Sequence, residues 1–160
     1  MNTETERKFL VKDDSFRKSV IKTYSIKQGY IAHDGGNTVR IRIRDDKGFL
    51  TIKGKTTEDG LSRPEWEKEV PLQDAMELFS LCKKGRIEKL RHIIPAENGL
   101  KWEVDEFQDE NEGLIMAEIE LPSPEAPYTK PSWLGTEVTG DPRFYNSYLS
   151  VNPYGTWAGK

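Results

Sequence analysis

The chain has 160 residues, of which 35% are apolar and 32% are charged, and its formal net charge is −3 at pH 7. The negative balance argues against a general nucleic-acid-binding protein, and without a run of 18 apolar residues or a signal-peptide core we expect neither a membrane segment nor export. The one cysteine, Cys82, excludes an internal disulfide and fits a cytoplasmic protein. We expect a single domain over residues 1–160.

In chain order, segments with alternating charged and apolar side chains predict strands, and amphipathic segments between them predict short helices. The first half contains strand ETERKFLV, helix DDSFRKSVI with its aspartate caps, strand YSIKQGYI, the hairpin TVRIRIRDDKGFLTIKGK and strand RPEWEKEVP. The second half contains helix LQDAMELFSLCKKG, strands GRIEKLRHII, KWEVDEF and LIMAEIELP, the irregular proline-rich stretch LPSPEAPYTKPSWLG and a last short helix in DPRFYNSYLSVNP. The eight strands are mostly adjacent in sequence, which favours antiparallel pairing.

Charged side chains fall on one face of every predicted strand, because successive strand residues point to opposite faces. An ordinary sheet with a solvated outer face would explain one such strand, but solvated faces usually include Ser, Thr, Asn and Gln. These faces are almost purely ionic, and most strands carry charges of one sign. The cations are Lys8, Arg40, Arg42, Arg44, Lys53, Lys55, Lys89 and Arg91, and the anions are Glu4, Glu6, Glu65, Glu67, Glu69, Glu103, Asp105, Glu118 and Glu120.

A closed barrel of about eight strands could hold these faces inside, around one small ligand. Its lumen would require a polyanion for the cations and a metal for the carboxylates. A metal-bound polyphosphate meets both requirements, so the residues predict a charged β-tunnel that binds one.

The motif Glu4-x-Glu6-x-Lys8 resembles the signature of the CYTH domain, or triphosphate tunnel metalloenzyme, family. The segments KQGYI, VRIRIRDDKGFLTIKGK, GLSRPEWEKEVP, IEKLRHII, WEVDEF, MAEIELP and EVTGDPRFYNSYLS are similar to the family and follow its order across residues 3–150. The resemblance implies an α+β, β-dominated fold: an eight-stranded antiparallel tunnel with a charged lumen, covered by a few short helices.

The resemblance also assigns roles to single residues. It implies metal ligands at Glu4, Glu6, Glu118 and Glu120, and a second metal or water-orienting role for Glu65, Glu67 and Asp105. It implies phosphate binding by Lys8, Arg40, Arg42, Lys53, Lys89 and Arg91, and a catalytic group of Lys8, Tyr30 and Lys89. Arg44, Lys55, Glu69 and Glu103 share these faces, and we expect them at the tunnel mouths, where exposed ion pairs are the equal alternative.

A C-terminal helix beginning near Asp141 is expected to close one tunnel end, with Arg143 directed at the substrate or at a tunnel carboxylate. The alternative is a surface helix on the apolar exterior of the barrel.

The expected activity is metal-dependent hydrolysis of a triphosphate, most simply inorganic tripolyphosphate, with Mg²⁺ or Mn²⁺ as cofactor. Two alternatives stay open: cyclisation of ATP by a class IV-like adenylate cyclase, and a non-catalytic polyphosphate-binding module. The partner is expected to be a small triphosphate-containing molecule, with no nucleic acid and no membrane. The residues leave open which triphosphate is preferred, whether one or two metals bind, which group is the general base, and the oligomeric state.

Overall fold

The computed structural model describes residues 1–159, and in that part of the chain nine strands form one antiparallel sheet. The strands are β1 (Asn2–Val11), β2 (Lys22–Asp34), β3 (Asn37–Arg44), β4 (Lys47–Lys53), β5 (Ser62–Val70), β6 (Arg86–Pro95), β7 (Lys101–Phe107), β8 (Ile115–Glu120) and β9 (Leu134–Glu137). The first eight are the strands that the alternating pattern predicts.

These eight strands close into a barrel in the order β5-β4-β3-β2-β6-β7-β8-β1, because β1 also pairs with β5. In this closure β1 pairs with β5 through residues 2–5 and with β8 through residues 6–10. Further along β1, β9 takes the place of β5 and pairs with β1 at Phe9 and Val11. The predicted eight-stranded antiparallel barrel is therefore confirmed, and the short ninth strand, which the pattern does not predict, extends its wall.

The register of the strands places the ionic faces in the lumen. Glu6 lies opposite Glu120 and Lys8 opposite Glu118 across the β1–β8 pair, and directly opposite residues in an antiparallel pair share a face. The same register puts Phe9 on the outside, where it is 1% exposed beneath covering segments.

The outer faces of β1, β7 and β8 form the larger apolar core. Its buried members include Phe9, Trp102, Val104, Ala117 and Ile119, which pack against Phe16, Trp133 and Leu134. The proline-rich stretch is irregular, as predicted, and covers this side through Tyr128 and Trp133. The predicted first helix is a 3₁₀ helix (Asp14–Ser19) whose start is capped by the Asp13 carboxylate, and it places Phe16 in the core.

Helix α1 (Leu72–Leu81) covers β3 and β4 through Ala75, which packs with Ile41 and Cys82. The end of this helix packs so closely on β2 that a glycine is required there, since a Cβ at Gly29 would lie 2.7 Å from Cys82 Sγ. Cys82 directly follows α1 and packs as a small buried residue on the covered face of the sheet.

The C-terminal segment (residues 141–153) contains a 3₁₀ helix (Pro142–Phe144) and helix α2 (Asn146–Leu149). Phe144 and Leu149 pack onto Ile87, Phe107 and Met116. These three share the inward faces of their strands with the lumen charges. One end of the barrel is therefore filled by apolar side chains and by this segment. None of the helices within residues 1–159 is both long and apolar enough to cross a membrane.

Candidate active site

The lumen holds a cavity of about 340 Å³. Most of the residues predicted for the site line it: Glu4, Glu6, Lys8, Tyr30, Arg40, Arg42, Lys53, Glu65, Glu67, Lys89, Arg91, Glu118 and Glu120. Asp105 is 1% exposed and lies directly behind Lys89 and Arg91 in the wall. Arg44 and Glu103, expected at the mouths, also contribute to the lining. The eight strands thus bring the predicted residues together around one space.

Arg40 is a buried cation with a hydrogen-bond donor that no protein group uses within residues 1–159. It is 7% exposed, and its Nη2 donates to Thr51 Oγ1 at 3.2 Å and lies 3.6 Å from Glu67 Oε2. Its buried Nε has no hydrogen-bond partner within residues 1–159. A buried guanidinium N–H without an acceptor costs free energy, and in a cavity wall it marks a place for an anionic ligand.

Arg42 lies one inward position further along β3. Its Nε donates to Gln28 Oε1 at 2.8 Å. Burial, together with the nearby charges of Arg40 and Arg91, lowers the pKa of Arg42 to about 9. The crowding of these guanidinium groups disfavours their charge, so a bound polyanion would stabilise the arrangement.

Lys8 stands where β1 meets the C-terminal segment. Its Nζ donates to the Phe144 carbonyl oxygen at 3.2 Å, lies 3.6 Å from Glu118 Oε1 and is 5.4 Å from the centre of the Tyr145 ring. Burial opposes the charge of Lys8, but Glu118 and Glu6 outweigh it and raise the pKa of the amine. Lys8 is therefore a charged group at the closed end.

Lys89 is 1% exposed, and its Nζ lies 2.7 Å from Asp105 Oδ2 and 2.8 Å from Asn146 Oδ1. Burial, with Arg91 and Arg42 nearby, lowers the pKa of Lys89 to about 7 despite the Asp105 carboxylate. Arg91 holds the same carboxylate with two hydrogen bonds of 2.8 Å. Asp105 thus fixes the positions of two cations in the wall.

The carboxylates of β1 and β8 occupy the opposite side of the cavity. Glu4 is paired with Lys53, whereas burial and the charges of Glu118 and Glu4 raise the pKa of Glu6 well above its usual value. Within residues 1–159, no three carboxylate, imidazole or thiol groups lie close enough to enclose a metal ion as they stand. The donors are nevertheless all carboxylate oxygens, which hard cations such as Mg²⁺ and Mn²⁺ prefer. A cation would also relieve the repulsion around Glu6, so the residues fit the metal that they were predicted to bind.

Arg143 lies away from the cavity, which corrects the expectation that it points at the substrate. Its side chain is 58% exposed, and its Nη2 lies 2.7 Å from Asp141 Oδ2. The Asp141 carboxylate caps the short helix that follows and holds the guanidinium on the surface. The same segment does close one end of the cavity, but through Tyr145, Asn146 and Ser147.

Several neutral residues of the site were missed by reasoning from charge. Gln28 is fully buried and bonds Arg42, Thr51 bonds Arg40, and Asn146 bonds Lys89. The alternation of YSIKQGYI could have placed Gln28 on the inward face, since it lies opposite Arg42 and Ile87. For Asn146 the sequence holds no such signal.

Comparisons with known proteins agree with this geometry. The model of the CYTH domain family matches residues 2–145. A protein named inorganic triphosphatase from Acetivibrio thermocellus is 52% identical over 155 residues, covering 96% of this chain and 97% of that protein. A second inorganic triphosphatase, from Nitrosomonas europaea, is 31% identical over 153 residues, covering 94% and 98%.

Among solved structures, the inorganic triphosphatase NE1496 superimposes with a TM-score of 0.68 at 28% identity, covering 94% of this chain and 96% of that one. The family match spans nearly the whole barrel and all of the cavity-lining strands. This chain belongs to the CYTH domain family.

Proposed function

We propose that this protein is a metal-dependent triphosphatase that hydrolyses inorganic tripolyphosphate in the barrel cavity. One observation carries the proposal: a mostly ionic cavity, closed at one end, in which the buried Arg40 Nε is left without a partner among residues 1–159. The relatives named inorganic triphosphatase, 52% and 31% identical over nearly the whole chain, support the choice of substrate.

The cations of the cavity suit a phosphate chain. Arg40 and Arg42 project from one strand, and guanidinium groups bind phosphate oxygens with paired hydrogen bonds. Lys8, Lys53, Lys89 and Arg91 would complete the contact from other strands. The cavity of about 340 Å³ has the size of a small-molecule site, which favours a compact triphosphate.

The family is metal-dependent, and the ions proposed for this chain are Mg²⁺ or Mn²⁺. Glu4, Glu6, Glu118 and Glu120 would hold the first ion, with Glu65, Glu67 and Asp105 available for a second ion or for orienting water. The ion would neutralise phosphate oxygens and favour attack by water. Glu4 and Glu118 are engaged with Lys53 and Lys8, so we expect phosphates to draw these lysines away and free the carboxylates.

The chain's own part in the reaction is binding, orientation and charge stabilisation. Phosphoryl transfer needs little covalent chemistry from the protein. Lys8 and Lys89, both buried at the closed end, would stabilise the charge that develops on the leaving phosphate. Tyr30 lines the same region, with its Oη 3.5 Å from Gln28 Nε2, and would orient the bound chain.

The deciding experiment compares phosphate release from tripolyphosphate, ATP and thiamine triphosphate, each with Mg²⁺, Mn²⁺ or EDTA. We expect the fastest release from tripolyphosphate, with no release in EDTA. Arg143→Ala is the matched control for a surface arginine and should behave as wild type. Failure to hydrolyse any triphosphate with either metal, or formation of cyclic AMP from ATP faster than phosphate release, would refute the proposal.

A further inference from the structure

Two neutral amides connect cations on the two strands that flank β2, Arg42 on β3 and Lys89 on β6. Gln28 Oε1 accepts from Arg42 Nε at 2.8 Å, and Gln28 Nε2 donates to Asn146 Oδ1 at 3.1 Å. Asn146 Oδ1 also accepts from Lys89 Nζ at 2.8 Å. The hydrogen bonds therefore run from Arg42 on β3 to Lys89 on β6 through β2 and the C-terminal segment.

Both amides are well ordered by their surroundings. Gln28 is 0% exposed, and its carboxamide has a partner for its oxygen and for its nitrogen. Asn146 begins α2, and Leu149, 0% exposed in the apolar end of the barrel, anchors that helix. The two cations are thus oriented by groups that have little freedom of their own.

The neutrality of these two residues is chemically important. An amide oxygen satisfies a cationic N–H and leaves its positive charge in place, whereas a carboxylate in the same position would form an ion pair and cancel it. An apolar residue would leave buried cationic donors without acceptors. Of the polar side chains, carboxamides can therefore orient Arg42 and Lys89 and still preserve their attraction for phosphate.

We infer that Gln28 and Asn146 are positioning residues, which hold Arg42 and Lys89 in place for the phosphates of the substrate without adding a negative charge beside them. This deepens the proposed function and rests on it, because it takes a triphosphate as the ligand of the cavity. It assigns a role to the C-terminal segment beyond closing the barrel, since Asn146 acts on Lys89 as the Phe144 carbonyl oxygen acts on Lys8.

The test uses substitutions that keep the shape and add a charge, Gln28→Glu and Asn146→Asp. Asn146→Asp keeps an acceptor for both Lys89 and Gln28, so we expect a melting temperature equal to or above that of the wild type. Gln28→Glu keeps the bond from Arg42 and loses the one that it donates to Asn146, so we expect a slightly lower melting temperature. Each should weaken tripolyphosphate binding, raising the Kd measured by calorimetry in EDTA and the KM measured with Mn²⁺ by about tenfold or more. The controls are Gln108→Glu on the surface and Asn152→Asp, whose side chain bonds the Tyr148 carbonyl oxygen elsewhere in the C-terminal segment.

A purely structural role would lower the melting temperature and leave the Kd unchanged, so retained stability with lost affinity in Asn146→Asp identifies positioning. Unchanged Kd and KM in both charged variants would overturn the inference, as would an equal loss of affinity in the controls. The two proposals fail separately. A wild type that binds tripolyphosphate in EDTA and releases no phosphate with metal would refute the triphosphatase, while the Kd comparison would still decide the role of the amides.

Discussion

Lys53 donates hydrogen bonds to both carboxylate oxygens of Glu4, at 2.9 Å each. The pair joins a predicted phosphate-binding lysine to a predicted metal ligand, and both side chains are largely buried. Burial opposes the charge of Glu4, but Lys53, a hydrogen bond with Glu65 and the charge of Arg40 together outweigh it and lower the pKa of the carboxyl to about 2. In the absence of ligands, a predicted phosphate-binding lysine and a predicted metal-binding carboxylate therefore form an ion pair with each other.

This pairing predicts opposite effects on binding and turnover for Glu4→Gln. The amide removes the charge that holds Lys53 at 2.9 Å and leaves it the longer contact with Glu65, at 3.4 Å. In EDTA tripolyphosphate should therefore bind about tenfold more tightly, a gain of roughly 1.4 kcal/mol. With Mn²⁺, turnover should be lost because a metal ligand is missing. Calorimetry and phosphate release measure the two effects. Glu69→Gln, on the exposed part of β5, is the control, and weaker binding in EDTA would contradict the competition between Glu4 and phosphate.

The cross-strand pair Glu6 and Glu120 tests the metal site. We expect Glu6→Gln and Glu120→Gln each to abolish metal-dependent turnover and to leave the fold intact, because each substitution removes one anionic ligand of a hard cation. Phosphate release across a Mn²⁺ titration, with circular dichroism as the check on folding, provides the measurement. Near-normal activity of both variants at saturating Mn²⁺ would argue against these ligands.

Arg40 and Lys8 are expected to separate binding from catalysis. Arg40→Ala should mainly raise KM, since its guanidinium meets phosphate in the ground state and the transition state alike. Lys8→Ala should lower kcat more, because Lys8 lies at the closed end beside Glu118. Steady-state kinetics with tripolyphosphate measures both constants. If both variants raise KM equally and keep kcat, Lys8 has only a binding role.

Leu149 anchors the C-terminal segment, so we expect truncation of its side chain to lower the stability of the protein. Leu149 is fully buried among Ile87, Phe107 and Met116, so Leu149→Ala should lower the free energy of unfolding by about 2–5 kcal/mol. Val151, 61% exposed two residues later, is the matched control, and Val151→Ala should change stability by less than about 0.5 kcal/mol. Urea denaturation compares them, and equal stability of the two variants would show that the segment is only loosely attached.

Glu106 predicts a pH dependence of stability on the outside of the barrel. Hydrogen bonds from Arg17, with a further contact to His92, lower the pKa of Glu106 from 4.5 to about 2. The unfolded state therefore binds its proton at a higher pH than the folded state does. The stabilisation is fully present above about pH 4.5, the unfolded value, and is lost as the pH falls toward about 2.

We accordingly expect Glu106→Gln to reduce the free energy of unfolding at pH 7 by about 0.5–1 kcal/mol, because the pair is partly exposed. The difference from wild type should shrink steadily below about pH 4.5. Urea denaturation at several pH values measures it, with the exposed Glu110→Gln as control. A difference that stays constant from pH 7 to pH 2.5 would exclude the ionised carboxylate as its cause.

The barrel and its charged interior could be predicted because both depend on local alternation. A strand has a period of two residues, so Glu4, Glu6 and Lys8 must share a face wherever β1 lies. Eight strands with the same ionic alternation favour one common lumen. The signs of the charges then indicate the chemistry of the ligand, without any knowledge of which strand lies beside which.

Tertiary structure decided the features that depend on contacts between distant parts of the chain. The closure of β1 onto β5, the addition of β9, and the apolar filling of one barrel end follow from strand register and from packing of the C-terminal segment. In the C-terminal segment, the charge of a residue did not predict whether it reaches the cavity. The nearby Asp141 holds Arg143 at the surface, and the neutral Asn146 reaches the cavity. The side chains that face inward could be predicted from the alternation alone, because alternation follows from backbone geometry. Only the fold determined which of them meet, because those partners lie far apart along the chain.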